Sequence, residues 1–193
     1  MIVFDITREI FSADIYPGDP IPRVTTLKSL KAGDDYQLSR ISIGSHTSTH
    51  IDAPSHFVRG GRDCAQIDLG RCMGSCVVIS WHGEITAGTM QNLLNEYQRP
   101  SRILFRGNTL LTEAAARVLT MFDVKLVGFD GLSIASSEVE VPVHRELLSH
   151  DIVILEDLVL DQIEDGKYFL IALPLKMEDM DGSPVRAVLM MGE

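Results

Sequence analysis

Short, mostly apolar runs alternating with helix-like segments constrain this chain more than any other feature. Cys76–Trp81, Ile103–Arg106, Val124–Phe129 and Ile152–Leu155 are too short for helices and too apolar for strands with one wet face. Between them lie segments of helical character: Thr89–Tyr97, the stretch that Thr112 and Glu113 open towards Phe122, and Val143–His150, with Pro142 as its expected first residue. Strands alternating with helices of about ten residues require a parallel or mixed sheet with helices laid over it. Ile2–Thr7, Val24–Leu30, Gln37–Ile43, Tyr168–Leu173 and Val185–Met191 supply further strands, and Tyr16-Pro17-Gly18-Asp19-Pro20 forces a turn. No repeat, low-complexity segment or linker interrupts residues 1–193, so one α/β domain with a mixed β-sheet core and covering helices is expected.

A chain of 193 residues buries about 70% of its unfolded surface and needs no disulfide staple. With 27 acidic against 17 basic residues, and no basic run threaded with aromatics, nucleic acid is not an expected partner. Cys64, Cys72 and Cys76 are odd in number and lack Cys-x-x-Cys spacing, so they read as reduced core thiols. Charges break the apolar run at the N-terminus, and no later run approaches ~20 apolar residues. A cytoplasmic protein without a membrane span is the expectation.

One stretch is far denser in metal-ligand side chains than loops or strands need. His46-Thr47-Ser48-Thr49-His50-Ile51-Asp52-Ala53-Pro54-Ser55-His56 holds three of the six histidines and a carboxylate. In an extended chain, side-chain alternation puts His46, His50, Asp52 and His56 on one face. A helix would align His46 with His50 but swing Asp52 away, and Thr-Ser-Thr before Pro54 is poor helix material. Imidazole with carboxylate suits zinc, manganese or iron. The bland alternative is a polar strand whose histidines bond to the backbone.

Two later residues are candidates to join the cluster: His144, near the start of its helix, and Glu156, closing the Ile152–Leu155 run. A buried carboxylate needs a partner, which a metal would provide; a glutamate facing water at a strand end is the other reading. Tyr16, held by its Pro-Gly turn, is either a loop plug or one wall of a pocket. His82 and His150 have no partners suggested by spacing, and Arg186 reads as a structural ion pair.

On these residues the chain resembles the bacterial kynurenine formamidase and cyclase family of metal-dependent hydrolases, nearly end to end. The family's Trp-Pro-Gly-Asp is matched by Tyr16–Asp19, and its His-x-Gly-Thr-His-x-Asp-x-Pro-x-His by His46–His56. His144, Ile154-Leu155-Glu156, Ala172–Leu175 and Asp181-Gly182-Ser183-Pro184-Val185-Arg186 follow in the family's order. The resemblance implies a β/β/α sandwich with two zinc ions per chain, manganese being an alternative. His46, His50 and Asp52 would hold one ion and His144 the other, with Asp52 and Glu156 bridging and His56 acting as acid/base. It further implies a small-molecule amide substrate, a homodimer or higher homo-oligomer, and a place in tryptophan catabolism. Two residues depart from the pattern: Ser48 replaces a glycine, and Tyr16 replaces a tryptophan that lines the pocket in the formamidases.

The leading expectation is hydrolysis of a non-peptide C–N bond, with N-formylkynurenine as the reference substrate. Opening of a cyclic amide such as isatin is the enzymatic rival. A metal-binding oligomeric protein without turnover is the rival from another class.

Overall fold

The structure, a computed structural model, describes residues 1–192. In chain order its first strands are β1 (Ile2–Asp5), β2 (Arg23–Lys28), β3 (Leu38–Ser42), β4 (His50–Asp52), β5 (Met73–Ser80), β6 (Gly83–Ile85) and β7 (Arg102–Arg106). There follow β8 (Thr109–Leu111), β9 (Leu126–Phe129), β10 (Val153–Glu156), β11 (Gly166–Ile171), β12 (Gly182–Pro184) and β13 (Val188–Met191). The α-helices are α1 (Leu69–Cys72), α2 (Ala87–Glu96), α3 (Glu113–Thr120) and α4 (Glu140–Ser149).

Nine strands form one sheet in the order β1-β13-β11-β5-β7-β9-β10-β4-β12. Its centre, β5, β7, β9 and β10, is parallel; every flanking pair is antiparallel. A β2–β3 hairpin and a short parallel β6–β8 pair stand apart from it.

Alternation along the central strands builds two cores. Val77, Ile79, Ile103, Phe105, Val127, Phe129 and Ile154 pack with the buried faces of α2, α3 and α4. Val78, Leu104, Leu126, Val153 and Leu155 face a second cluster on the other side. Each fully buried aliphatic side chain stabilises by about 1.5–3 kcal/mol, so neither face tolerates a polar alternation. That is why these strands read as unbroken apolar runs.

The second core lies inside a curl of the sheet. Ile51 from one end of the strand order and Leu189 from the other belong to the same cluster. Beyond β1, Thr7 bridges Leu158, while the Ile6 amide donates to the Ala187 carbonyl and the Val159 amide to Ile6. The last strands close the curl: β12 pairs with β4, and the same segment continues into β13 between β1 and β11.

Three local expectations are corrected. The final strand is interrupted, with β12 before the expected Val185 start and β13 after it. Helix α4 begins at Glu140, so Pro142 lies within its first turn, where a missing N–H costs nothing, and is not its first residue. The histidine stretch is extended only over His50–Asp52; a turn precedes it and a 3₁₀ turn, Pro54–His56, follows.

Candidate active site

Register places the first ligand-type side chains. In the antiparallel β4–β10 pair, His50 stands opposite Glu156 and Asp52 opposite Ile154. Because Ile154 belongs to the helix-side core, His50, Asp52 and Glu156 share that face, while Ile51 and Leu155 point into the curl. Helix α4 covers this face and brings in His144, one turn from its N-terminus. The turn before β4 is tied down by two hydroxyls: Ser48 Oγ donates to the Arg8 carbonyl (2.7 Å) and Thr49 Oγ1 to the Asp157 carbonyl (2.6 Å). Ser48 has φ 60°, the left-handed conformation that glycine adopts most easily, and its hydroxyl bond offsets the cost of a side chain there.

The imidazole tautomers follow from backbone contacts. Nδ1 of His50 lies 2.7 Å from the Ser48 carbonyl, and Nδ1 of His144 lies 2.8 Å from the Glu140 carbonyl. A neutral ring must donate there, which leaves both Nε2 lone pairs facing carboxylates. His50 Nε2 is 3.4 Å from Asp52 Oδ1 and 3.4 Å from Glu156 Oε2. His144 Nε2 is 3.4 Å from Glu156 Oε1 and 3.7 Å from Asp52 Oδ2. Asp52 Oδ2 is buried with no hydrogen-bond partner, whereas Glu156 Oε1 accepts the Ile134 amide at 2.9 Å. Acceptors facing acceptors in a dry site repel unless a proton or a cation lies between them.

The spacing fits a cation. Metal–ligand bonds of ~2.1 Å at tetrahedral angles set ligand atoms ~3.4 Å apart. His50, Asp52 and Glu156 form one group able to hold an ion, and His46, Asp52 and His56 offer atoms for another. His46 Nδ1 is 2.9 Å from Asp52 Oδ1.

Without metal, protons take the cation's place. Burial pulls His144 down, but its bond to Glu156 and the charges of Glu156 and Asp52 outweigh it and raise its pKa to about 9. The same contest lifts His50 well above the ordinary histidine value. Asp52 is held well below the usual carboxylate range because His46 and His50 overcome its burial. A raised histidine contributes stability that is full below its unfolded pKa of ~6.5 and is lost as pH rises through its folded value. Metal-stripped protein should therefore lose on the order of 3 kcal/mol between pH 6.5 and 9. Metal-replete protein should gain relative stability over that window, because protons compete for its ligands. Melting curves with chelator and with zinc check this; a flat metal-free profile would refute it.

A carboxylate without a predicted role completes the cluster. Asp181 Oδ2 lies 3.0 Å from His46 Nε2 and 3.1 Å from His56 Nδ1, and Ser45 donates to its other oxygen at 2.9 Å. Its only sequence signal was the Asp181–Arg186 motif match. The next residue, Gly182, stands opposite Asp52 across β4 and β12, and a Cβ there would sit 2.5 Å from His46 Cε1. Gly182→Ala should displace the His46 ring and lower metal content by about half or more, measured as moles per chain. Unchanged content would show that His46 is not a ligand.

His46 and His56 stack with centroids 3.9 Å apart and planes inclined by 27°. A ring donates in its own plane, and planes so nearly parallel meet far beyond a ~2.1 Å bond. This arrangement disfavours one ion taking both rings, although a nitrogen of each lies close to Asp52. His56 is the more exposed, at 29% against 16% for His46.

Tyr16, His46, His50, His56, His144 and Glu156 all line one open cavity of about 200 Å³. Tyr16 is thus a pocket wall rather than a loop plug, and its hydroxyl donates to Glu140 Oε2 at 2.8 Å. Ile10, Ile15, Pro20, Phe57 and Leu132 make the remaining wall largely apolar. Glu156 is buried at the floor of this cavity rather than exposed at a strand end. His82 and His150 bond to the carbonyls of Gly107 and Glu146, and Arg186 pairs with Asp5 at 3.0 Å. Cys64, Cys72 and Cys76 are free and buried, and burial pushes each thiol up to about 12. Among the described residues no helix is long and apolar enough to cross a membrane.

Known proteins resemble this chain in sequence and in fold. The kynurenine formamidase of Polaromonas naphthalenivorans (strain CJ2) is 34% identical over 196 residues, covering 92% of this chain and 85% of that protein. A solved structure described as a "Potential Metal-Dependent Hydrolase With Cyclase Activity" is 30% identical with a TM-score of 0.83, over 97% of this chain and 96% of its own. Isatin hydrolase A from Labrenzia aggregata shares the fold, with a TM-score of 0.84 at 23% identity over 100% of this chain and 94% of that one. The model of the "Putative cyclase" family matches residues 4–136, the span that carries the histidine stretch, so the chain belongs to the cyclase family.

Proposed function

We propose that this hydrolase cleaves the C–N bond of a small aryl formamide, with N-formylkynurenine as the first substrate to try. The observation that carries the reading is the convergence of His50 Nε2, His144 Nε2 and the Asp52 and Glu156 carboxylates around an unpartnered buried oxygen. His46, His50 and Asp52 would hold one divalent ion and His144 the other, with Asp52 and Glu156 shared between them. Zinc is the first expectation and manganese the second. Bound there, such ions supply a water that ionises near neutral pH and a Lewis acid for the amide carbonyl.

The chain's own groups do the rest. His56, bonded through Nδ1 to Asp181, keeps Nε2 free for proton transfer. Burial, its largest influence, lowers its pKa and so favours the neutral ring that can act as a base. It takes a proton from the attacking water and returns it to the departing nitrogen. The apolar wall receives the aromatic ring, and a cavity of about 200 Å³ admits a small molecule rather than a folded peptide. The relative's activity as a kynurenine formamidase directs the choice of substrate.

The β2–β3 hairpin leaves Val24, Leu27, Leu30 and Ile41 each more than half exposed, which supports a homo-oligomer. Buried, unpaired cysteines support a reducing, cytoplasmic setting.

The test is elemental analysis of the purified protein, sized by light scattering and assayed on N-formylkynurenine and isatin. About two metals per chain with formate release establish the reading. Ring opening of isatin without formate release moves the substrate to cyclic amides, and metal-replete protein inert on both refutes the amide reading.

A further inference from the structure

Asp181 meets two rings of the site through a single atom. Its Oδ2 lies 3.0 Å from His46 Nε2 and 3.1 Å from His56 Nδ1, while Ser45 Oγ donates to Oδ1 at 2.9 Å. An ionised carboxylate oxygen only accepts, so each ring nitrogen facing it carries a proton. Two tautomers are thereby set by one residue.

For His46 the outcome is opposite to that of its neighbours. His50 and His144 each give an Nδ1 proton to a backbone carbonyl and turn Nε2 towards the carboxylates. His46 gives its Nε2 proton to Asp181, and the nitrogen that faces Asp52 Oδ1, at 2.9 Å, is Nδ1. His56, stacked on it, gives up Nδ1 and keeps Nε2.

The base under Asp181 is firm. Its side chain is 42% exposed, but the Ala53 amide donates to its carbonyl and the Cys64 amide to that of Met180, each at 2.9 Å. Gly182, opposite Asp52, brings the same backbone close against the His46 ring. An imidazole bonded to a carboxylate that is itself fastened keeps its orientation.

We propose that Asp181 is a positioning residue whose one oxygen turns His46 to bind its ion through Nδ1 and His56 to move protons through Nε2. The inference rests on the metal-dependent hydrolase reading and deepens it. Because a ligand ring and a proton-carrying ring share this acceptor, its loss damages two properties together: the hold on one ion, and turnover.

The experiment titrates metal-stripped, full-length protein with zinc against a competing chelator, and assays each sample at saturating zinc on whichever of N-formylkynurenine and isatin the unaltered protein hydrolyses. Asp181→Ala should weaken one of the two ions by about 10–100-fold and leave the other as tight as before, whereas Asp52→Ala weakens both. Its kcat at saturating zinc should fall about tenfold or more, with KM little changed. Asp181→Asn keeps an acceptor oxygen for the rings, and Ser45 can accept from its amide, so most of both losses should be recovered. Both ions held at full affinity by Asp181→Ala, an unchanged kcat, or an Asp181→Asn variant no better than Asp181→Ala overturns the proposal while leaving the hydrolase reading intact. Ring-nitrogen NMR of the unaltered zinc-loaded protein needs no variant to fold: His46 should carry its proton on Nε2 where His50 and His144 carry theirs on Nδ1, and the reverse at His46 overturns the proposal. Unaltered protein that takes up no metal, or hydrolyses neither compound, removes the underlying reading and the proposal with it.

Discussion

His56→Ala should leave the metal content per chain unchanged and lower kcat by roughly 10²–10⁴-fold, the range typical of losing a general acid/base. The expectation rests on three features of the ring. It stacks on His46 in planes that do not converge on an ion, it is held through Nδ1 by Asp181, and it is the most exposed imidazole of the cluster. Removing a ligand would lower metal content; removing a proton shuttle leaves the metals and stops the exchange. Parallel elemental analysis and single-turnover kinetics separate the two, and loss of metal in the variant would make His56 a ligand.

The second large effect concerns Asp52. Its carboxylate reaches His46 at 2.9 Å, His50 at 3.4 Å and His144 at 3.7 Å, so one side chain would serve both halves of the proposed centre. Asp52→Ala should therefore abolish binding at both positions. It also leaves raised, protonated histidines in a buried site with one carboxylate fewer. Breaking a buried ion pair costs about 3–5 kcal/mol, which for a chain of this size lowers Tm by on the order of 10 °C. Titration with zinc followed by calorimetry measures both consequences. One ion retained at full affinity would show that the two halves do not share Asp52.

The central strands were legible because burial on both faces leaves a continuous apolar signature, as in Cys76–Ile79 and Ile152–Leu155. The ligand-type residues were legible because His46, His50, Asp52 and His56 are close in sequence. Their shared extended face was only half legible. His50 and Asp52 obey strand alternation, whereas His46 enters from a turn containing left-handed Ser48, and His56 from the turn after Pro54. The three-residue strands β4 and β12 are too short to show a period of two. Asp181 was legible only as part of a motif, because nothing local marks a loop residue that reaches the site through pairing of distant strands. The start of α4 was misplaced because Pro142 fits any position of a helix's first turn, and Glu140, not proline, opens it.

The curl of the sheet sets an order of events in folding. Residues 2–5 pair with residues 188–191, and the neighbours of Asp181 and Gly182 close against β4. Nearly the whole chain must be present before either contact can form, and loop-closure entropy makes such pairings slow. His46 meets Asp181 only at that stage. On the proposed reading, metal capture would be a late seal on a nearly finished fold rather than a template for it, so refolding should proceed at the same rate with and without zinc.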